Sequence, residues 1–270
     1  MLCLAMKQTY TKAEEITANQ PPYNCGEEIP MTMQVAMVGS DGIVLASDTY
    51  CQETPQLDVG QMYFGGRHGT NHTKIKIDHS LGMAISYGWD AKSAEKIGDL
   101  IVEHWRNEDR KNPEDALERI CDKVPQPDRR RAQCLVVFTR PSPQMFFIQT
   151  TSNEDNKWEP WCRSSTSILI AGDTTNSTIF WAERYYRKFA PLHLSGERLI
   201  PLAAHMIGQA KTLNTAGIDG LEIVICSSSG IKQLSKDSCE LLKRQAEHWD
   251  DTIGDLFLNH KPQYIYDVTR

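Results

Sequence analysis

The hydrophobic positions of this chain fall into two periods, and the switch between them outlines the elements. Met33-Gln-Val-Ala-Met-Val38 and Ile43-Val-Leu-Ala46 are apolar runs joined by Gly39-Ser-Asp-Gly42. Short apolar runs around such a turn predict a β-hairpin. Lys74–Asp78 and Leu81–Ser86 predict a second one. From Asp90 the period lengthens: Ala94, Ile97, Leu100, Ile101, His104 and Trp105 recur at the three- and four-residue spacing of an amphipathic helix. Pro113 suits the first turn of another helix, over 113–123. Cys134–Phe138 and Met145–Ile148 predict strands on either side of Arg140-Pro-Ser-Pro143, and Ser167–Ala171 predicts a further strand. Helices follow over 176–188 and 197–212, then a strand at Leu221–Cys226 and a helix over Cys239–Trp249. Residues 52–73, rich in Gly, Gln and His, read as a loop long enough to be functional. Ser227-Ser-Ser229 reads as a loop after a strand, its hydroxyls forming a turn.

The first 31 residues carry Pro21, Pro22, Gly26 and Pro30 and no sustained period. They are expected to be an extension or pro-segment, leaving one domain over 32–270. Hairpins require antiparallel pairing, and helices grouped between blocks of strands favour layered α+β packing.

Composition narrows the function classes. The chain has 270 residues, 40% hydrophobic and 24% charged, which suits a large buried core and excludes disorder. A net charge of −6 argues against a nucleic-acid or anionic-membrane partner. No apolar run reaches the roughly 18–20 residues of a membrane-spanning helix. The eight cysteines are widely spaced with no CxxC pair, so a zinc site is not expected. Cys134 and Cys226 lie inside apolar runs and are expected to be buried thiols. Reduced cysteines and a start without a signal-like apolar stretch point to a cytoplasmic protein. His68 and His72 are expected to be surface residues, and Arg129-Arg-Arg131 a solvated turn. No metal or cofactor is expected.

The stretch from Thr32 to Asp48 resembles the start of a mature proteasome β-type subunit, within the N-terminal-nucleophile (Ntn) hydrolases. That pattern is a threonine opening a strand, a turn with Asp and Gly, then Val/Ile-Leu-Ala and an acidic residue. The resemblance continues through Thr73-Lys74-Ile-Lys-Ile-Asp78, Gly82-Met-Ala-Ile-Ser86, Asp90-Ala91, Ile170-Ala-Gly-Asp173 and Thr215-Ala-Gly-Ile-Asp219. It covers about residues 32–236, and the ordered series carries it rather than any one motif.

The resemblance implies an α+β fold of the four-layer αββα sandwich type, removal of a pro-segment, and a threonine-type peptidase. Thr32 would be the nucleophile, with its own freed α-amine as base. Lys74 would stabilise the hydroxyl oxygen, and Asp48 would keep Lys74 charged. A backbone N–H near Tyr87, with Gly88 and Ile85 alongside, would bind the oxyanion or the substrate. Asp173 would support the nucleophile. The substrate would be a peptide or unfolded protein. The implied partners are further copies in a homo-oligomeric ring and an ATPase unfoldase. Met31 stands where self-cleaving precursors of that family have glycine. Two alternatives therefore stay open: a non-catalytic proteasome-like ring subunit or scaffold, and an Ntn amidohydrolase acting on a small amide.

Overall fold

In the computed structural model the Gly39–Gly42 turn closes as its residues predict, with Gly39 N–H donating to the Gly42 carbonyl at 2.7 Å. The structure describes residues 32–52, 69–89, 91–108, 112–123, 132–152, 158–172, 183–188, 193–213 and 218–259. Strands and helices alternate in blocks. The first block is β1 (Met33–Val38), β2 (Gly42–Ser47), β3 (Tyr50–Gln52), β4 (Gly69–Asn71), β5 (Ile75–Asp78) and β6 (Met83–Trp89). Helices α1 (Ala91–Trp105) and α2 (Pro113–Cys121) follow. Next come β7 (Ala132–Phe138), β8 (Gln144–Ser152), β9 (Trp158–Ser165) and β10 (Ile168–Gly172). Helix α3 (Gly196–Leu213), strands β11 (Glu222–Ser227) and β12 (Gly230–Gln233), and helix α4 (Lys236–Asn259) complete the order.

The strands form two five-stranded antiparallel sheets, ordered β10-β1-β2-β11-β12 and β5-β6-β7-β8-β9, with β3 and β4 as a separate pair. Period-two alternation decides which residues go where. On β1, Met33, Val35 and Met37 face α3, while Ala36 faces the other sheet. On β7, Leu135 and Val137 face the first sheet, while Cys134, Val136 and Phe138 face α1 and α2. Three apolar clusters result. One lies between the sheets, around Leu45, Ala84, Val137 and Val224. One lies under α1 and α2, where Trp105 stacks on Phe138 with ring centroids 4.2 Å apart. The third lies under α3, around Ala203, Met206 and Ile207.

The hairpin turn has a second task. Asp41 Oδ1 accepts the Gly196 N–H at 2.7 Å, so the turn supplies a carboxylate to the positive end of α3.

Several sequence expectations are corrected. The four-layer αββα sandwich is not shown: the described residues give two antiparallel sheets with few helices. Of the helix expected over 176–188, only 183–188 falls within the described residues and is helical. The loop expected over 52–73 has strands at both ends, since Gln52 pairs with Gly69. β9 went unread because it lacks alternation and contains Pro160. It occupies a sheet edge, where a missing N–H is tolerated. Ser228 and Ser229 form a turn, and β12 follows from Gly230, whose φ of +126° suits glycine. Cys134 and Cys226 are buried free thiols, and burial pushes both up to about 12. No helix among the described residues is long and apolar enough to cross a membrane. The extension at 1–31, together with His68 and Arg129–Arg131, lies outside the described residues; His72 is exposed.

Candidate active site

One end of the first sheet collects three chain segments. Thr32 precedes β1, Asp48 follows β2, and Glu222 opens β11. Antiparallel register brings them level: Gln34 and Glu222 both pair with Ser47, one on each side of β2. Lys74 arrives from the other sheet, as the residue before β5.

Their side chains converge. Lys74 Nζ lies 3.1 Å from Thr32 Oγ1 and 2.8 Å from Asp48 Oδ2. All three residues are buried, Thr32 and Lys74 at 4% exposure and Asp48 at 0%. The other Asp48 oxygen accepts the Met33 N–H at 2.9 Å, and Asp48 N–H donates to the Met33 carbonyl at 3.0 Å. The carboxylate is thereby fixed to the backbone beside Thr32. Burial raises the Asp48 pKa to about 6, against the opposing pull of the Lys74 ammonium and of the hydrogen bonds. A charged donor between a hydroxyl and a carboxylate can stabilise negative charge developing on that hydroxyl oxygen.

The remaining expected residues separate. Gly88 lies beside the site, since a Cβ built on it would meet Thr32 Cγ2 at 3.4 Å and Gln34 Nε2 at 2.5 Å. Ile85 and Tyr87 point the other way, into the cluster under α1 and α2. The Tyr87 ring abuts Gly98, where a Cβ would sit 2.4 Å from a ring carbon. The Tyr87 N–H is already committed to the Lys74 carbonyl at 3.0 Å. Strand parity explains this division, because 86 and 88 share one face of β6 while 85 and 87 share the other. Asp173 lies outside the described residues. Its neighbour Gly172 packs on Thr32 itself, pairs with Met33, and donates its N–H to Gln133 Oε1 at 2.5 Å.

Two buried side chains near the site escaped the sequence reading. Gln34 Oε1 accepts the Ser86 hydroxyl at 2.7 Å across the sheets. Glu222 Oε2 accepts two successive N–H groups, from Lys74 at 3.0 Å and Ile75 at 3.1 Å. The signal available in the sequence was a polar residue at the start of an otherwise apolar strand, Glu222 before Ile223-Val-Ile-Cys226.

Comparison with known proteins bears on the fold. No protein-family model matches the chain, and no curated protein does. Solved structures do match. The Anbu (Gly-1) mutant from Hyphomicrobium sp. strain MC1 superposes with a TM-score of 0.61 at 13% identity, over 87% of this chain and 100% of that one. Anbu (ancestral beta-subunit) from Yersinia bercovieri gives 0.57 at 13% identity, with 87% and 100% covered. Anbu from Hyphomicrobium sp. strain MC1 gives 0.58 at 12% identity, with the same coverage. The chain thus has a fold similar to that of the Anbu proteins. This corrects the resemblance to a proteasome β-type subunit: the neighbours are Anbu proteins, at an identity that shows the fold alone.

Proposed function

We propose that the chain is a proteasome-related, threonine-type peptidase whose nucleophile is Thr32, exposed by removal of residues 1–31. The observation that carries this reading is the buried series Thr32 Oγ1, Lys74 Nζ, Asp48 Oδ2, with contacts of 3.1 and 2.8 Å.

The chemistry follows from those atoms. A terminal α-amine has a pKa of about 7.7–8.0, so part of it is neutral near pH 7. The freed Thr32 amine takes the hydroxyl proton as Oγ1 attacks the carbonyl carbon of an amide. Lys74 stabilises the negative charge developing on Oγ1, and Asp48 holds the ammonium in place. When the C–N bond breaks, the amine returns the proton to the leaving nitrogen, which leaves an ester on Thr32. Water, deprotonated by the same amine, hydrolyses that ester and restores the hydroxyl. Gly88 lets β6 pack closely against Gln34 and Thr32.

On this reading the substrates are peptides or unfolded polypeptides. The Yersinia relative is described as an ancestral beta-subunit. That word, subunit, favours assembly of this chain with further chains; we take these to be identical copies in a ring, with an ATP-driven unfoldase as a candidate partner.

A second reading is a non-catalytic subunit of similar fold. Met31 favours it, because glycine's backbone freedom would ease self-cleavage before Thr32. Intact mass and N-terminal sequencing of the purified protein, followed by labelling with a peptide epoxyketone or boronate, separate the two. The peptidase begins at Thr32 and is labelled there, and Thr32→Ala abolishes the label. A chain that keeps Met31 and takes no label is the non-catalytic protein.

A further inference from the structure

We propose that Glu222 is a positioning residue for Lys74: its carboxylate holds the backbone of Lys74 so that the ammonium meets Thr32 and Asp48. This rests on the reading of Thr32 as nucleophile, and it identifies what aims the lysine.

Lys74 belongs to the second sheet, whereas Thr32 and Asp48 belong to the first. Its Nζ reaches them along a flexible four-carbon stem. Such a side chain holds one geometry only where its backbone is fixed. The neighbouring strand β6 takes up only the carbonyl of Lys74, which leaves its N–H to be held from elsewhere. Glu222 supplies the anchor. It sits on β11 in the same sheet as Thr32 and Asp48, next to Ser47 in register. Its Oε2 takes both the Lys74 and Ile75 N–H groups, at 3.0 and 3.1 Å. Its Oε1 takes the Gln233 side-chain amide at 2.7 Å, which fixes the carboxylate plane from β12. The Lys74 carbonyl is held as well, by the Tyr87 N–H at 3.0 Å. Both polar groups of the Lys74 peptide backbone are therefore tied, one to each sheet.

A carboxylate is a costly way to meet two backbone donors. Glu222 is buried at 7% exposure, and burial raises its pKa above the ordinary carboxylate range. Hydrogen bonds to the anion oppose that shift, and the positive charge of Lys236 opposes it too. Two adjacent N–H groups meeting one oxygen beside the lysine is an arrangement that orients it.

The test compares Glu222→Gln, Glu222→Asp and Glu222→Met in the full protein. Gln keeps an oxygen at the same reach, and Gln233 can turn its amide to match. Asp keeps the charge but falls one methylene short. Met keeps the bulk without an acceptor. Two readouts are taken on folded samples: the second-order rate of Thr32 labelling by a peptide boronate, and the titration midpoint of Asp48 from carboxyl carbon NMR. Glu222→Gln is expected to stay within about threefold of wild type in rate, with the Asp48 midpoint unmoved. Glu222→Asp and Glu222→Met are expected to lose about ten- to a hundredfold in rate, and the Asp48 midpoint should move up as Lys74 withdraws. If wild type is not labelled yet the midpoint still moves, the peptidase reading falls and the positioning role stands. Folded Glu222→Asp or Glu222→Met with an unmoved midpoint overturns the proposal, as does a Glu222→Gln that behaves worse than Glu222→Asp.

Discussion

Gly172 lies flush against the carbonyl of Thr32: a Cβ built on it would sit 1.7 Å from that oxygen. Its φ of +121° is closed to ordinary side chains as well. The two residues are adjacent across β10 and β1, so the backbone that carries Thr32 is seated by a position where only hydrogen fits. Gly172→Ala combines backbone strain with an overpacked contact. It is expected to cost about 3 kcal/mol or more in urea unfolding and to displace Thr32. A variant within about 0.5 kcal/mol of wild type would show that β10 moves aside easily.

The Lys74–Asp48 pair calls for a double-mutant cycle. Lys74→Met leaves Asp48 buried without its cation, which typically costs about 3–5 kcal/mol. Asp48→Asn leaves the ammonium in the same position. The double variant removes both charges and should be more stable than the sum of the single losses predicts, with a coupling above about 1 kcal/mol. Additive losses would mean that the contact contributes no coupling. Thr32 labelling should be lost in all three variants.

Asp48 also predicts a pH dependence. Its pKa is raised from 3.8 to about 6 by burial, so between those values the native state binds more protons at this site than the unfolded state. The contribution of Asp48 to stability is therefore fully present below pH 3.8 and falls as pH rises to about 6. The slope cannot exceed one proton, or about 1.4 kcal/mol per pH unit. Urea midpoints taken at half-unit intervals should show wild type losing stability relative to Asp48→Asn across that window. A constant difference would place the Asp48 midpoint at its ordinary value.

Much of this was legible along the chain because local pattern decided it. The hairpin strands at Met33–Val38 and Gly42–Ser47 match the apolar runs within one residue. Thr32, Asp48 and Lys74 were grouped before any coordinates through the family resemblance alone, and neither their spacing nor the hydrophobic pattern joins them. What stayed hidden depends on register and parity across the sheets. Ile85, Tyr87 and Gly88 are neighbours in sequence, yet alternation sends the first two under the helices and only the third toward Thr32. Glu222 is only a polar residue at the start of an apolar strand until β11 pairs with β2 and carries it to Lys74. β9 was missed because Pro160 argues against a strand except at an edge, and edges are a property of the whole sheet. The fold class overreached because the four layers came from the family resemblance, while the helical periods at 176–188 and 197–212 give elements but not layers.

Gly88 gives the last prediction. Alanine in a strand interior usually gains about 0.5–1 kcal/mol over glycine through chain entropy. Here the new methyl would meet Gln34 Nε2 at 2.5 Å and Thr32 Cγ2 at 3.4 Å. Gln34 cannot swing freely, because its Oε1 takes the Ser86 hydroxyl at 2.7 Å and the side chain is fully buried. Relieving the contact breaks that hydrogen bond or pushes Thr32 off Lys74. Gly88→Ala is therefore expected to lose about 1–2 kcal/mol in stability, the overpacking cost outweighing the entropic gain. Thr32 labelling of the folded protein should fall by more than about tenfold. Adding Gln34→Ala opens the space and should restore most of the labelling while lowering stability further. If Gly88→Ala labels at the wild-type rate, the close approach of β6 to Thr32 has no part in holding the nucleophile.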